Sequence, residues 1–229
     1  MSIPNRISPN PTIGAIQPHR LETPGTLESV NRGMQSHAFP VRSPDPEPGI
    51  AHVLIVCHAN QCRSPYAAAI ARQRAGEGSA RFASGGLIRG GRPMPETGRL
   101  VAPQYGLDFE AHRSREVDLH DFGGFDLVLA MAREQARELV VADPDAWPRI
   151  FTVKQFARWI EKNPRPPGVD LGPWLDTVAA DRPRTSLIGS DDADDVADPV
   201  GLPAAAWHSM IAEVTANIQV IIDGISSVR

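Results

Sequence analysis

Apolar positions along this chain fall into two kinds of run. Short unbroken runs at 53–56 (Val-Leu-Ile-Val), 126–131 (Asp-Leu-Val-Leu-Ala-Met) and 149–152 (Arg-Ile-Phe-Thr) have the length and β-branched content of strands buried on both faces. A further short strand is predicted at 81–84 (Arg-Phe-Ala-Ser), ahead of Gly85-Gly86. Between and after these runs the pattern turns helical. Residues 66–74 are mostly good helix formers, 96–105 form a helix that Gly106 stops, and 132–141 and 153–160 follow strands directly. Near the end, Trp207, Ile211, Val214, Ile218, Ile221 and Ile225 recur at steps of three and four, the apolar face of one long helix. Strands alternating with helices predict an α/β domain whose parallel sheet is covered on both faces. Ligands in such sheets bind beyond the carboxyl ends of the strands, at the point where strand order reverses. No internal repeat is present.

Two stretches stand outside this alternation. Residues 1–49 carry nine of the 22 prolines, lack sustained periodicity and end in Ser-Pro-Asp-Pro-Glu-Pro-Gly. They read as a disordered, Pro-rich tail leading into a domain at 50–229, with Met34 as an alternative start. The stretch 161–193 opens with Pro164, Pro166 and Pro167, and 170–180 predicts a short helix anchored by Trp174, Leu175 and Val178. This enlarged segment runs into the acidic stretch 191–198 and is a candidate lid or substrate wall.

Composition narrows the function classes. A net charge of −4 at pH 7 argues against a nucleic-acid partner. No apolar run approaches the roughly 18 residues of a membrane span, and the N-terminus lacks a basic-then-apolar signal. The only two cysteines lie five positions apart, so no disulfide framework is expected and a reducing cytoplasm fits.

Those two cysteines sit in the segment that carries the chemistry: Cys57-His58-Ala59-Asn60-Gln61-Cys62-Arg63-Ser64-Pro65, directly after the 53–56 strand. Ser64 and Pro65 read as N-cap and first helical residue. Residues 58–63 then wrap a strand-to-helix turn, where backbone N–H groups and the helix dipole converge on one anion. A cysteine attacks as its thiolate, a form that helix N-termini and cations favour. Arg63 adds a planar fork for two phosphate oxygens. The Ser64 hydroxyl can donate to the Cys57 sulfur, and Asn60 suits a left-handed kink. Cys57, His58 and Cys62 do not have the spacing of a zinc site, and no second ligand pair exists, so neither metal nor cofactor is expected.

The segment 57–65 resembles the signature of the low-molecular-weight protein tyrosine phosphatases. The likeness extends to Ala83-Ser84-Gly85, to Gly106-Leu-Asp108 with His112-Arg113-Ser114, to 122–131, and to Asp198-Pro199, over about 50–160 and 194–229. The resemblance implies a flavodoxin-like sheet of four parallel strands and metal-independent phosphomonoester hydrolysis on phosphotyrosine protein or a small phosphomonoester. It implies Cys57 as nucleophile, Arg63 and the amides of 58–64 (His58, Ala59, Asn60, Gln61, Cys62, Arg63, Ser64) as the phosphate cradle, and Asp198 as general acid. Asn60, Ser64, Ser84 and His112 would form the network that shapes the loop. Pro199 stiffens Asp198, Asp194 and Asp195 would repel its charged form, and Asp195 is the runner-up acid. Cys62 is a candidate redox partner for Cys57.

The chain departs from the family at instructive positions. Ala59 replaces a frequent glycine, while His58 and Gln61 replace apolar wall residues. Val200 and Gly201 stand where an aromatic usually follows Asp-Pro, so phosphotyrosine preference is the open point. Leu87 and Ile88 are candidate wall residues, and Arg89 and Arg92 would favour acidic substrates. Two alternatives remain: an arsenate reductase using an external thiol, since no cysteine follows Cys62, and a non-catalytic phosphate-binding module.

Overall fold

Every residue of Ala51–Cys57 (β1) is buried in the computed structural model, which describes residues 40–45, 47–75 and 80–226. The alternation of side chains splits this apolar run between two cores. Val53, Ile55 and Cys57 join one core, and Leu54 and Val56 the other. A run apolar on both faces is what a central parallel strand requires.

The sheet has four strands in the order β2-β1-β3-β4, with β2 at Ala80–Gly86, β3 at Leu127–Ala130 and β4 at Ile150–Thr152. All pairings are parallel; Cys57 stands opposite Gly86, and Val56 opposite both Gly85 and Ala130. The chain moves outward from β1 to β2 and then crosses back to β3, so β1 lies at the switch point and Cys57 at its carboxyl end.

Helices Arg63–Arg74 (α1), Glu96–Val101 (α2), Val153–Lys162 (α4) and Ala204–Ile225 (α6) contribute to the core containing Cys57. Arg133–Ala142 (α3) and Trp147 belong to the opposite one. All six positions of the predicted α6 stripe are buried, and α6 packs against α1 and α4. Thr152 opens α4 with a reciprocal capping box to Gln155. The predicted helix at 96–105 tightens to a 3₁₀ turn over Ala102–Tyr105 and ends on Gly106, whose φ of 68° is the left-handed cap expected. No helix among the described residues is long and apolar enough to cross a membrane.

One boundary differs from expectation. The tail read over 1–49 lies outside the described residues through residue 39, but residues 40–45 belong to the domain. Val41 is buried and bridges Val117 in parallel register, with backbone bonds to Glu116 and Asp118. One valine in a proline-rich stretch is too weak a periodic signal to mark this contact. In the enlarged segment 161–193 the expected short helix forms. This helix, Leu171–Val178 (α5), packs beside the 3₁₀ turn at Pro144–Arg149, and Trp174 rests 5.4 Å from Trp159 of α4. It covers the β4 flank of the sheet, with Val178 exposed rather than anchoring.

Candidate active site

The turn after β1 is shaped by Asn60, which is 1% exposed and holds a φ of 50°, the only positive value among described non-glycine residues. Its Nδ2 donates to Ser64 Oγ and to Ser84 Oγ, each at 3.0 Å. Its Oδ1 accepts from the Arg115 backbone N–H at 2.9 Å, and its carbonyl lies 2.8 Å from His112 Nε2. A carbonyl only accepts, so Nε2 carries the proton. Burial favours that neutral ring: it pushes His112 below the ordinary histidine value, aided by Arg113 and Arg72 and opposed by the bond to Asn60. Ser64, Ser84 and His112, expected to support the loop with Asn60, thus all meet it directly.

Ser64 Oγ lies 3.1 Å from Cys57 Sγ and 3.1 Å from the Gly85 carbonyl. Its single proton serves one of them at a time, and the bond to sulfur is the one that stabilises a thiolate. This contact corrects the reading of Ser64 as N-cap. The helix starts at Arg63, Cys62 occupies the cap position without a side-chain bond, and Pro65 is the third helical residue. Pro65 is still tolerated, because first-turn N–H groups have no intrahelical partner to lose. Ser64 is diverted from capping by the thiol and by Asn60.

Arg63 is buried, with 8% of its side chain exposed, and reaches back to the late acidic stretch. Its Nη2 meets Asp198 Oδ2 at 2.6 Å and its Nη1 donates to the Val196 carbonyl at 3.2 Å. Val196 is in turn fixed by its N–H to the Met131 carbonyl, just beyond β3. Asp198 is 44% exposed and accepts from the Val200 N–H. Asp195 is elsewhere, accepting from the N–H groups of Arg133 and Asp191. Asp194 does not face Asp198 as an unmet charge either. Burial alone would raise its pKa, but hydrogen bonds from Arg133, Arg158 and Gln155 outweigh that and hold it below the usual carboxylate range.

Cys62 is buried in the core that holds Cys57, and both are free thiols. Burial, with Asp198 and Cys57 nearby, pushes the Cys62 thiol far up, so it stays protonated. His58 is exposed, Ala59 and Gln61 are half-buried, and Gln61 Nε2 is tied to the Pro93 carbonyl. Leu87 and Ile88 are half-buried and donate their N–H groups to the His58 carbonyl.

Residues 52–165 match the sequence profile described as low molecular weight phosphotyrosine protein phosphatase. A probable low molecular weight protein-tyrosine-phosphatase EpsP of Ralstonia solanacearum is 30% identical over 110 residues, 48% of this chain and 75% of that protein. The chain belongs to this phosphatase family. A protein-arginine-phosphatase of Geobacillus stearothermophilus is 31% identical over 104 residues, covering 45% of this chain and 70% of that one. Among solved structures, the low molecular weight protein tyrosine phosphatase of T. tengcongensis superposes with a TM-score of 0.56 at 28% identity, over 76% of this chain and 98% of that one.

Within this family frame, three supporting positions escaped the sequence reading. A Cβ at Gly86 would lie 2.8 Å from the Ala59 carbonyl carbon and from the Asn60 nitrogen, so the loop can close on β2 only over a glycine. The Gly85-Gly86 doublet at a strand end was the available signal. The Arg115 N–H and the Pro93 carbonyl act through backbone, which leaves no mark in side-chain identity.

Proposed function

We propose that the chain hydrolyses phosphomonoesters, with protein phosphotyrosine as the preferred class, through a phosphocysteine intermediate and without a metal ion. The observation that carries this reading is the Arg63–Asp198 pair at 2.6 Å, which brings a carboxylate from far along the chain to the loop that begins at the Cys57 thiol. Cys57 Sγ attacks phosphorus, forming the P–S bond as the P–O bond to the leaving group breaks. Asp198 gives its proton to the departing oxygen. It then takes a proton from the water that attacks phosphorus, the P–S bond breaks, and the thiolate returns with the Ser64 hydroxyl to stabilise it. Arg63 and the loop N–H groups offset charge on the equatorial oxygens. An arriving phosphate competes with Asp198 for Arg63, which frees the carboxylate for proton transfer.

Hydrolysis of p-nitrophenyl phosphate near pH 6, with EDTA and reductant, tests this reading. Cys57→Ser abolishes turnover, and Asp198→Ala lowers it about 10²- to 10⁴-fold. A folded wild-type chain without turnover contradicts it and favours the arsenate-reductase or phosphate-binding alternatives.

A second substrate reading rests on the residues after Asp198. Val200 and Leu202 are half-exposed and Gly201 is left-handed, so no ring stands there to stack on a phenyl group. Such stacking is worth roughly 0.5–1.5 kcal/mol beyond burial. With a protein-arginine-phosphatase among the relatives, phosphoarginine is the competing substrate. Phosphotyrosine and phosphoarginine peptides of one sequence, compared by kcat/KM, decide between them. Cys62 is proposed as the redox partner: its thiol would condense with a Cys57 sulfenic acid, releasing water. A product two hydrogen atoms lighter by intact mass after mild peroxide supports this, and a sulfinic adduct contradicts it. Two thiols without a disulfide fit a cytoplasmic setting.

A further inference from the structure

A cavity of about 480 Å³ opens on the β4 side of the sheet, between the outward face of α4 and the segment 182–194. Its volume falls in the range of about 300–1,000 Å³ typical of small-molecule sites. None of the residues lining it belongs to the 57–64 loop, and Asp198 is not among them. Arg158, Trp159 and Lys162 of α4 line it, and Arg182 lines it as well.

The charges lining it do not cancel. Arg133, Arg158, Lys162 and Arg182 face only Asp191 and Asp194. Arg133 pairs with both carboxylates and Arg158 with Asp194. Lys162 and Arg182 have no carboxylate partner among the described residues. Arg182 is the unusual one. Its guanidinium sits 3.4 Å from the Phe151 ring centroid and 4.2 Å from that of Trp147, and its Nη2 donates to the Trp147 and Ile150 carbonyls. Its Nε is buried without an acceptor. Burial pushes its pKa down to about 9. Two ring faces and two carbonyls offset part of that desolvation, and no described carboxylate supplies the rest, so an anion beside this guanidinium gains from it. The chain as a whole is acidic, so this cationic recess stands against its surroundings.

We propose that this cavity binds a small organic anion with a planar apolar body, its charge held by Arg182 and Lys162 and its ring laid against Trp159. The site is separate from the phosphatase reading and holds or fails without it.

Calorimetric titration of the full chain with 8-anilinonaphthalene-1-sulfonate tests the assignment, with circular dichroism confirming that each variant is folded. One site is expected, and losing a charge-assisted bond in Lys162→Gln or Arg182→Gln weakens it roughly tenfold or more. Arg63→Ala, which removes the cation of the Cys57 loop, leaves binding unchanged. The neutral analogue N-phenyl-1-naphthylamine binds at least tenfold more weakly. Equal affinity of wild type and both glutamine variants overturns the proposal, as does equal binding of the neutral analogue or loss of binding in Arg63→Ala.

Discussion

At the scale of single residues, Asn60 concentrates the site's architecture. Its amide bonds Ser64 and Ser84, its Oδ1 holds Arg115, its carbonyl meets His112, and its backbone is left-handed. Asn60→Ala removes a partner from several buried polar groups at about 1–3 kcal/mol each and keeps the unfavourable φ. We expect a lower Tm and at least a tenfold loss of kcat, whereas a variant equal to wild type in both would remove Asn60 from the loop's support. His112 gives a pH signature. Its folded value lies below the unfolded one, so its contribution is fully present above the ordinary histidine value of about 6.5 and is lost as pH falls below it. Wild-type Tm should drop between about pH 6.5 and pH 5 more steeply than that of His112→Gln; parallel profiles would contradict the assignment. The Asn60, Ser64, Ser84 and His112 set was legible because each is a polar side chain at a position of the family's pattern. What the sequence concealed was backbone-mediated, as with Arg115 and Pro93.

At the scale of elements, the strand-loop-helix unit around Cys57 depends on close backbone approach. Gly86→Ala forces a Cβ into the Ala59–Asn60 peptide, and backbone cannot yield as a flexible side chain does. It should lower kcat strongly while far-UV circular dichroism stays unchanged, because the contact shapes the loop and not the core. Unbroken apolar runs made β1 and β3 readable, and the three-and-four stripe made α6 readable, since both signals reflect burial directly. Ser64-Pro65 misled because the same residue types serve as caps and as ligands of a thiol, and only the fold decides which partner Ser64 finds.

At the scale of the whole molecule, strand order places Cys57 at the switch point, and the segment 182–198 returns along the β4 side to deliver Asp198. Asp194, only 3% exposed at its side chain, pins that return to Arg133 of α3 and Arg158 of α4. Asp194→Ala leaves Arg158 without a carboxylate among the described residues and Arg133 with Asp191 alone; it should cost about 1–3 kcal/mol in urea unfolding, the range for a charged hydrogen-bond partner lost, and should lower kcat by loosening the segment that carries Asp198. Unchanged stability and turnover would contradict this anchoring. Within the acidic run 191–198 the sequence marks Asp198 by its proline, with Asp195 as runner-up; in the fold the carboxylates divide into an anchor at Asp194, a cap for α3 at Asp195 and a site residue at Asp198. Position in the fold, not composition, separates them.

The most direct test of the central claim is a rapid acid quench of the full-length chain during turnover of p-nitrophenyl phosphate, followed by mass mapping of the peptide that contains Cys57. The account predicts phosphate on Cys57 in the wild type, a larger trapped fraction in Asp198→Ala if dephosphorylation is the slower step there, and none in Cys57→Ser. Turnover that persists in Cys57→Ser, or phosphate found on another residue, would contradict it.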